Sequence, residues 1–248
     1  MQPDAAIGLR FVAAFFVFTL SGAYPATSDD DHLLPIEEYG LAKGHPVSAY
    51  RALWQKKLLV TPGNVARFAH IPGFATPETV VCVNQRTGKS NGSVGGYWVT
   101  RTEASSSLWN CIETGDEKFT KRRITDCRSV RVRRCDAPLP DSTAVIVRKL
   151  WLTMLRDARS LSLAPGERVI SVDSPSEILS AMSPKEKLLE AEAPTFKARN
   201  ANELVRVGFL LLDYCGVSPD KRSDLAREIE KRASRLLARV QRSKNSHR

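Results

Sequence analysis

The sequence predicts an α+β protein with an antiparallel β meander in the first half, helices mostly in the second half, and a single compact domain. Runs of β-branched residues separated by Gly, Asn and Pro dominate residues 65–135, whereas long apolar stripes at helical spacing occur after residue 141. This segregation argues against a parallel sheet of βαβ units. The 248 residues, 42% of them hydrophobic, suffice for one sizeable core.

The first half begins with one helix signal and continues with strand signals. Pro46 opens a stretch whose apolar residues recur at helical spacing. Two later runs rich in β-branched and aromatic residues flank glycine-rich turn material, which predicts a hairpin. The predicted elements are a helix at 46–59, a strand at 65–71, a hairpin at 79–84 and 96–102, a third strand or short helix at 107–112, and a fourth strand at 127–135.

The second half carries three helix signals and several short strand signals. Asp141 or Ser142 is expected to cap the first helix, and Asn200–Glu203 resembles a capping box for the second. Residues 184–191 fit a helix as well as a strand. The predicted elements are a helix to about residue 159, strands at 168–172, 178–182 and 188–193, a helix from 200 to a stop at Gly216, and a last helix from Ser218 or Pro219 to Gln241.

Residues 1–23 have the layout of a secretory signal peptide. Arg10 precedes an apolar run at 11–20, and Ser21 and Ala23 supply small residues at the −3 and −1 positions of a cleavage site. The apolar run is about half the length that a helix needs to cross a bilayer core, so an uncleaved anchor is the weaker alternative. We therefore expect export to the periplasm or the medium after cleavage near Ala23, with no transmembrane segment in the mature chain.

The mature chain is expected to have a flexible acidic lead-in, a folded domain and a short tail. Residues 24–45 contain an acidic run and chain-breaking Pro and Gly residues. The folded domain is expected to cover residues 46–241, and residues 242–248 are expected to form a disordered basic tail.

Five cysteines follow the leader, an odd number that leaves at least one thiol over if disulfides form. An extended strand over residues 127–135 would hold Cys127 and Cys135 too far apart to be bridged. Cys135 and Cys215 are the preferred disulfide pair, because both are expected at the ends of elements. Alternation along the strand would instead place Cys127 and Cys135 beside arginines that lower a thiol pKa, but no paired histidine supports a nucleophile.

Two stretches carry most of the positive charge of this +10 chain. Residues 121–134 hold seven basic residues and one acidic residue, and residues 221–248 hold ten basic and three acidic residues. The apolar stripe of the last helix predicts that its basic residues face outward. An ordinary solvated face is the alternative. The candidate anion-binding residues are Lys121, Arg122, Arg123, Arg128, Arg131, Arg133, Arg134, Arg227, Lys231, Arg235 and Arg239.

The sequence contains fragments of known catalytic motifs, but their positions in the predicted fold do not suit those motifs. A Gly-Lys-Ser fragment and a Gly-x-Ser-x-Gly match both fall in the predicted hairpin tip at 86–96, where neither a phosphate loop nor a nucleophile elbow belongs. The four histidines form no metal-ligand motif, and His70 is expected to be structural. No cofactor and no metal are expected.

These observations favour an exported, non-enzymatic protein that binds an anionic partner. Anionic lipid, a cell-envelope polymer and an acidic protein all fit the charge. Nucleic acid is not expected, because the basic stretches lack aromatic residues for base stacking. An exported hydrolase with a site assembled from scattered residues, and a structural subunit of an envelope complex, remain alternatives.

Overall fold

Seven antiparallel strands form one sheet in the order β1-β7-β6-β2-β3-β4-β5. The computed structural model describes residues 31–36, 46–59, 64–72, 76–87, 94–111, 127–159, 175–185, 187–194 and 198–246. The predicted meander is confirmed, because β2 to β5 are neighbours both in the chain and in the sheet. The strands are β1 (Leu34–Pro35), β2 (Asn64–Ile71), β3 (Thr79–Thr87), β4 (Val94–Ala104), β5 (Val132–Leu139), β6 (Ser176–Met182) and β7 (Leu188–Glu192).

In the part of the chain that the structure describes, four helices pack around the sheet and both of its faces are covered, so the α+β prediction is confirmed. Helices α2 and α3 pack on one face, and α4 packs against these two helices from outside. Helix α1 packs with the core on the opposite face, so the layers run α1, sheet, α2 with α3, and α4. The helices are α1 (Pro46–Leu58), α2 (Asp141–Leu155), α3 (Arg199–Gly216) and α4 (Pro219–Ser246). None of these described helices is long and apolar enough to cross a bilayer.

The central strands are apolar on both sides because both faces of the sheet are covered. On β2, Phe68 belongs to the core under α2 and α3, whereas its neighbour Ala69 belongs to the core under α1. On β3, Val81 and Val80 divide in the same way. This two-sided burial explains why β3 reads as a continuous apolar run rather than as the alternation of a half-exposed strand.

The chain around Cys127 differs from the prediction of a strand over 127–135. Residues Cys127–Ser129 form a 3-10 turn, which the Val130 N–H closes by donating to the Cys127 carbonyl at 3.1 Å. The strand β5 begins only at Val132. The expectation that Cys127 and Cys135 share one face is therefore wrong: Cys127 packs in the core on the α1 side, and Cys135 packs against the core on the α3 side.

Residues 31–36 lie within the fold, although the sequence prediction assigned them to a flexible lead-in. Leu33 has no exposed surface, and Leu34–Pro35 pair with β7. The Asp31 carboxylate accepts a hydrogen bond from the backbone N–H of Asn200 in the first turn of α3. This contact replaces the predicted capping box, because α3 begins at Arg199 with no side-chain cap from its own N-cap residue.

The other second-half helices and strands that lie within the described residues are confirmed, with shifted ends. The expectation that Asp141 or Ser142 caps α2 is wrong, because Pro140 is the N-cap residue, no side-chain hydrogen bond caps the helix, and Asp141 is already its first residue. Helix α2 stops at Leu155 rather than near residue 159, and α4 continues past Gln241 to Ser246, into the predicted tail. Strands β6 and β7 occupy the predicted positions, so the helix alternative for 184–191 is wrong. The predicted signal peptide and the predicted strand at 168–172 lie outside the described residues.

Helix α3 lies very close to Phe68 of β2 at Gly208. A Cβ atom built on Gly208 would lie 2.5 Å from Cγ of Phe68, whose side chain has no exposed surface. We expect Gly208→Ala to lower the free energy of unfolding by about 2 kcal/mol, because overpacking costs about 1–3 kcal/mol and outweighs the gain in helix propensity of about 1 kcal/mol. Denaturant unfolding measures this difference.

Gly216→Ala in the same helix is the matched control, since its Cβ would make only an ordinary contact of 3.8 Å with Arg101 Nη1. Equal free energies of unfolding for the two variants would contradict this prediction, because the Phe68 ring would then have moved to make room for the new methyl group.

Candidate functional site

Two of the predicted basic residues lie on β5, the strand at one end of the sheet, and a third, Arg131, lies directly before it. Arg131, Arg133 and Arg134 are all exposed. Cross-strand pairing places Arg133 opposite Glu103 and Arg134 opposite Thr102. Because successive side chains of a strand point to opposite faces, Arg133 lies on the α3 side and Arg134 on the α1 side.

A shallow cleft of about 200 Å³ lies beside this strand. Its floor comes from β4 and β5, and its wall is the C-terminal end of α3. Its lining contains three arginines and one glutamate, so the cleft has a positive balance. The lining residues, called the β5 cleft from here on, are Arg101, Glu103, Arg133, Arg134, Cys135 and Gly216.

A disulfide between Cys135 and Cys215 forms the base of the wall. The two Cα atoms lie 5.9 Å apart, and the bridge joins β5 to the last turn of α3. The preferred pairing from the sequence is confirmed. Tyr214 adds a second tie, since its hydroxyl donates to the Pro138 carbonyl at 2.8 Å. Together they fix the end of α3 against β5.

Arg101 is engaged within the cleft wall. Its Nη2 donates to Glu103 Oε2 at 2.7 Å, and its Nη1 lies beside Gly216 at the C-terminal end of α3. The C-terminal end of a helix carries partial negative charge and attracts a cation. Arg101 therefore serves mainly to join β4 to α3, and most of its charge is already balanced.

A polar network occupies the α1 side of the same strands. Arg134 donates to Asp136 through Nε at 2.9 Å and Nη2 at 3.2 Å, and Thr100 donates to the same carboxylate at 2.5 Å. Arg86 lies 3.5 Å from Asp136 and stacks over the Trp98 ring. Partial burial raises the pKa of Asp136, but the hydrogen bonds from Arg134 and Thr100 and the charge of Arg86 outweigh it, so the pKa is lowered.

Arg131 and Arg133 are the charges left available for a ligand. Among the described residues, no carboxylate forms an ion pair with either. The backbone of Arg131 is fixed by Ser105, which exchanges two hydrogen bonds with it. No described strand pairs with the outer edge of β5. The N–H and C=O groups along this edge are therefore available to a ligand, together with the guanidinium groups of Arg131 and Arg133.

The basic residues of α4 form a separate surface. As the sequence predicts, the apolar stripe of α4 is buried, with Ile229 and Ala233 fully covered. Arg227 pairs with Asp224, and Arg239 donates to the Asn200 side chain. Lys231 and Arg235 are exposed. Since α4 packs on α2 and α3 rather than on the strands, the structure does not join its basic face to the β5 cleft.

The remaining predicted basic residues lie outside this description. Lys121, Arg122 and Arg123 fall beyond the described residues. The backbone of Arg128 belongs to the turn at Cys127–Ser129, but its side chain is not described.

His70 lies away from the β5 cleft. It hydrogen bonds to Glu177 at 3.2 Å and stacks edge-on against Phe209 at 5.0 Å. Two strands separate β2 from β5, a distance of about 14 Å at normal strand spacing. In the described part of the chain, no group of three His, Cys, Asp or Glu side chains is placed to hold a metal ion.

No protein-family model matches this chain, and no curated protein or solved structure is significantly similar to it.

Sequence reasoning missed Arg101, Glu103 and Asp136. The first two lie on β4, and only the pairing of β4 with β5 brings them beside Arg133 and Cys135. The alternation of Val99, Arg101 and Glu103 on one side of β4 was the available signal. This alternation does not show which strand pairs with β4, because the partner β5 begins only at Val132.

Proposed function

We propose that this protein is an exported, non-enzymatic binding protein that holds an acidic polypeptide segment along the edge of β5. The observation that carries the proposal is the combination of three exposed arginines with an unpaired strand edge in the described structure. The segment would add as a strand, with its carboxylates meeting Arg131, Arg133 and Arg134.

The backbone of β5 supplies the first part of this interaction. An edge strand presents a row of N–H and C=O groups that an extended peptide can pair with. Such pairing gives affinity without dependence on sequence, and the side chains then select the partner. Arginine suits carboxylate selection, because its planar guanidinium donates two parallel hydrogen bonds to one carboxylate.

The distribution of the arginines favours a polypeptide over a lipid surface. Arg133 and Arg134 lie on opposite faces of the sheet, and a flat membrane would meet only one of these faces. An added strand has side chains on both faces and reaches both guanidinium groups. The β5 cleft, which is about 200 Å³, offers room for one acidic side chain beside Arg133.

Export rests on the leader at residues 1–23, and the Cys135–Cys215 bridge supports it. Disulfides form and persist mainly in oxidising compartments. The partner is accordingly an acidic protein of the cell envelope or the medium.

Two peptides of equal charge test the proposal: a repeat of Glu-Glu-Val-Val, called the Glu-Val peptide, which places Glu on both faces of an added strand, and the same peptide with every backbone amide N-methylated. N-methylation removes the N–H donors from both edges of the peptide, so only the first peptide can add as a strand. We expect the Glu-Val peptide to bind at least about tenfold more tightly, with binding weakening as salt rises. Anionic vesicles serve as the third probe.

Equal affinity for the two peptides would contradict strand addition. Tighter binding to vesicles than to either peptide would replace the polypeptide with a lipid surface.

Asp136 competes with the partner for Arg134, and its removal should strengthen binding. We expect Asp136→Asn to bind the Glu-Val peptide about threefold more tightly, because Arg134 and Arg86 lose their carboxylate partner. Titration of both proteins at one salt concentration measures the change.

Asp157→Asn is the matched control, since it also adds one positive charge but releases Lys244 of α4. The same gain in both variants would mean that net charge, rather than the β5 edge, governs binding.

A further inference from the structure

Three cysteines lie outside the Cys135–Cys215 bridge, and all three are buried on the α1 side of the sheet. Cys82 lies on β3, Cys111 ends a 3-10 turn at Leu108–Cys111, and Cys127 begins the turn at Cys127–Ser129. All three belong to the core cluster that contains Trp54 of α1.

Cys111 and Cys127 contact each other within this cluster. Their side chains are hydrogen bonded, and Lys57 of α1 lies close to both. The Lys57 ammonium donates to the Cys127 carbonyl at 3.1 Å, which holds this turn against α1. Both cysteines lie in short turns, where the backbone is less constrained than in a paired strand.

Cys82 has a different environment. Strand pairing fixes it between Arg67 of β2 and Thr100 of β4. Burial raises the pKa of Cys82 to about 11, although the charges of Arg67 and Arg134 act in the opposite direction. Unlike the pKa of Cys111, it is not influenced by another cysteine. Cys82 is held in the middle of the sheet, where the backbone has little freedom to move.

We propose that Cys111 and Cys127 form a second disulfide when the chain matures under oxidising conditions, which leaves Cys82 as the single thiol. The two thiols lose two protons and two electrons as the S–S bond forms. A disulfide oxidant accepts them and is cleaved to two thiols. This pairing accounts for all five cysteines of the chain and does not depend on the proposed partner.

Both thiols are buried in the folded protein, so we expect an oxidant to reach them during folding rather than after it. Burial, together with the hydrogen bond to Cys127, also raises the pKa of Cys111 to about 12. Cys111 is therefore a poor nucleophile in the folded protein, because the thiolate is the form that attacks a disulfide. In the unfolded chain the thiols are exposed to solvent, so neither burial nor this hydrogen bond hinders their ionisation.

Oxidative refolding of the full chain with oxidised and reduced glutathione tests the proposal. Thiols are then alkylated in denaturant with N-ethylmaleimide, and the adducts are mapped by peptide mass spectrometry. We expect one adduct per chain, on Cys82, and a linked pair of peptides that contain Cys111 and Cys127. Cys82→Ala should give no adduct, and Cys111→Ala should give adducts on Cys82 and Cys127.

Three adducts beside an intact Cys135–Cys215 bridge would overturn the proposal. A linked peptide that joins Cys82 to either of the other two cysteines would also overturn it. The Cys135–Cys215 peptide pair reports native folding in every variant, so a failure to fold is distinguished from a failure to pair.

Discussion

Removal of the Cys135–Cys215 disulfide by paired alanine substitution is expected to lower the free energy of unfolding by about 4 kcal/mol. The two cysteines are 80 positions apart, so the bridge restricts a large part of the unfolded chain. It also joins β5 to the end of α3, the two elements that form the β5 cleft. Denaturant unfolding of both proteins under non-reducing conditions measures the loss.

Cys82→Ala is the control, because it removes a buried thiol without touching the bridge. We expect a smaller loss of about 1 kcal/mol from the cavity it leaves. If the paired variant unfolds at the same denaturant concentration as the parent, the bridge does not stabilise this fold.

Glu78→Ala is expected to cost at least about 3 kcal/mol, because it leaves buried donors without an acceptor. Glu78 has no exposed surface. Its carboxylate accepts hydrogen bonds from the Leu108 N–H at 2.9 Å, the Tyr50 hydroxyl at 2.5 Å and the Ser107 hydroxyl at 3.3 Å. Burial, aided by the bond to Glu78, raises the pKa of Tyr50, so its hydroxyl remains a donor at neutral pH.

Tyr50→Phe separates these contributions, since it removes one donor and leaves the carboxylate its other partners. We expect a loss of about 1 kcal/mol for this variant. A loss of similar size in Glu78→Ala would show that water replaces the carboxylate and that the turn at Leu108–Cys111 does not depend on it.

The meander could be predicted from the sequence because its signals are local. Residues 79–84 and 96–102 are rich in β-branched residues, and the turn material between them requires a hairpin. The Cys135–Cys215 pairing was also accessible, since both residues were expected at element ends. In the meander, neighbours in the chain are also neighbours in the sheet, whereas the disulfide joins residues 80 positions apart and was inferred from the ends of elements.

The sheet order beyond β2 could not be predicted, because it depends on distant pairing. Strand β6 lies beside β2 although more than a hundred residues separate them in the chain. The short strand at Leu34–Pro35 was missed for the same reason, since its partner β7 follows far later. A two-residue strand carries no periodic signal of its own.

The sequence also could not distinguish the basic stretch at β5 from that of α4. Both have an excess of arginine, and only side-chain partners separate them. On α4, Arg232 pairs with Glu228 and Glu203, and Arg227 pairs with Asp224. Arg131 and Arg133 have no comparable carboxylate among the described residues, which is why the β5 edge is the stronger candidate.

The central claim is that binding belongs to the β5 edge, and two double variants of equal charge test it most directly. Arg131→Gln with Arg133→Gln removes two charges from the edge, and Lys231→Gln with Arg235→Gln removes two from the exposed face of α4. The measurement is the affinity of each for the Glu-Val peptide at one salt concentration. We expect the first to bind at least about tenfold more weakly than the parent and the second to remain within about twofold. Equal weakening of both would contradict the claim.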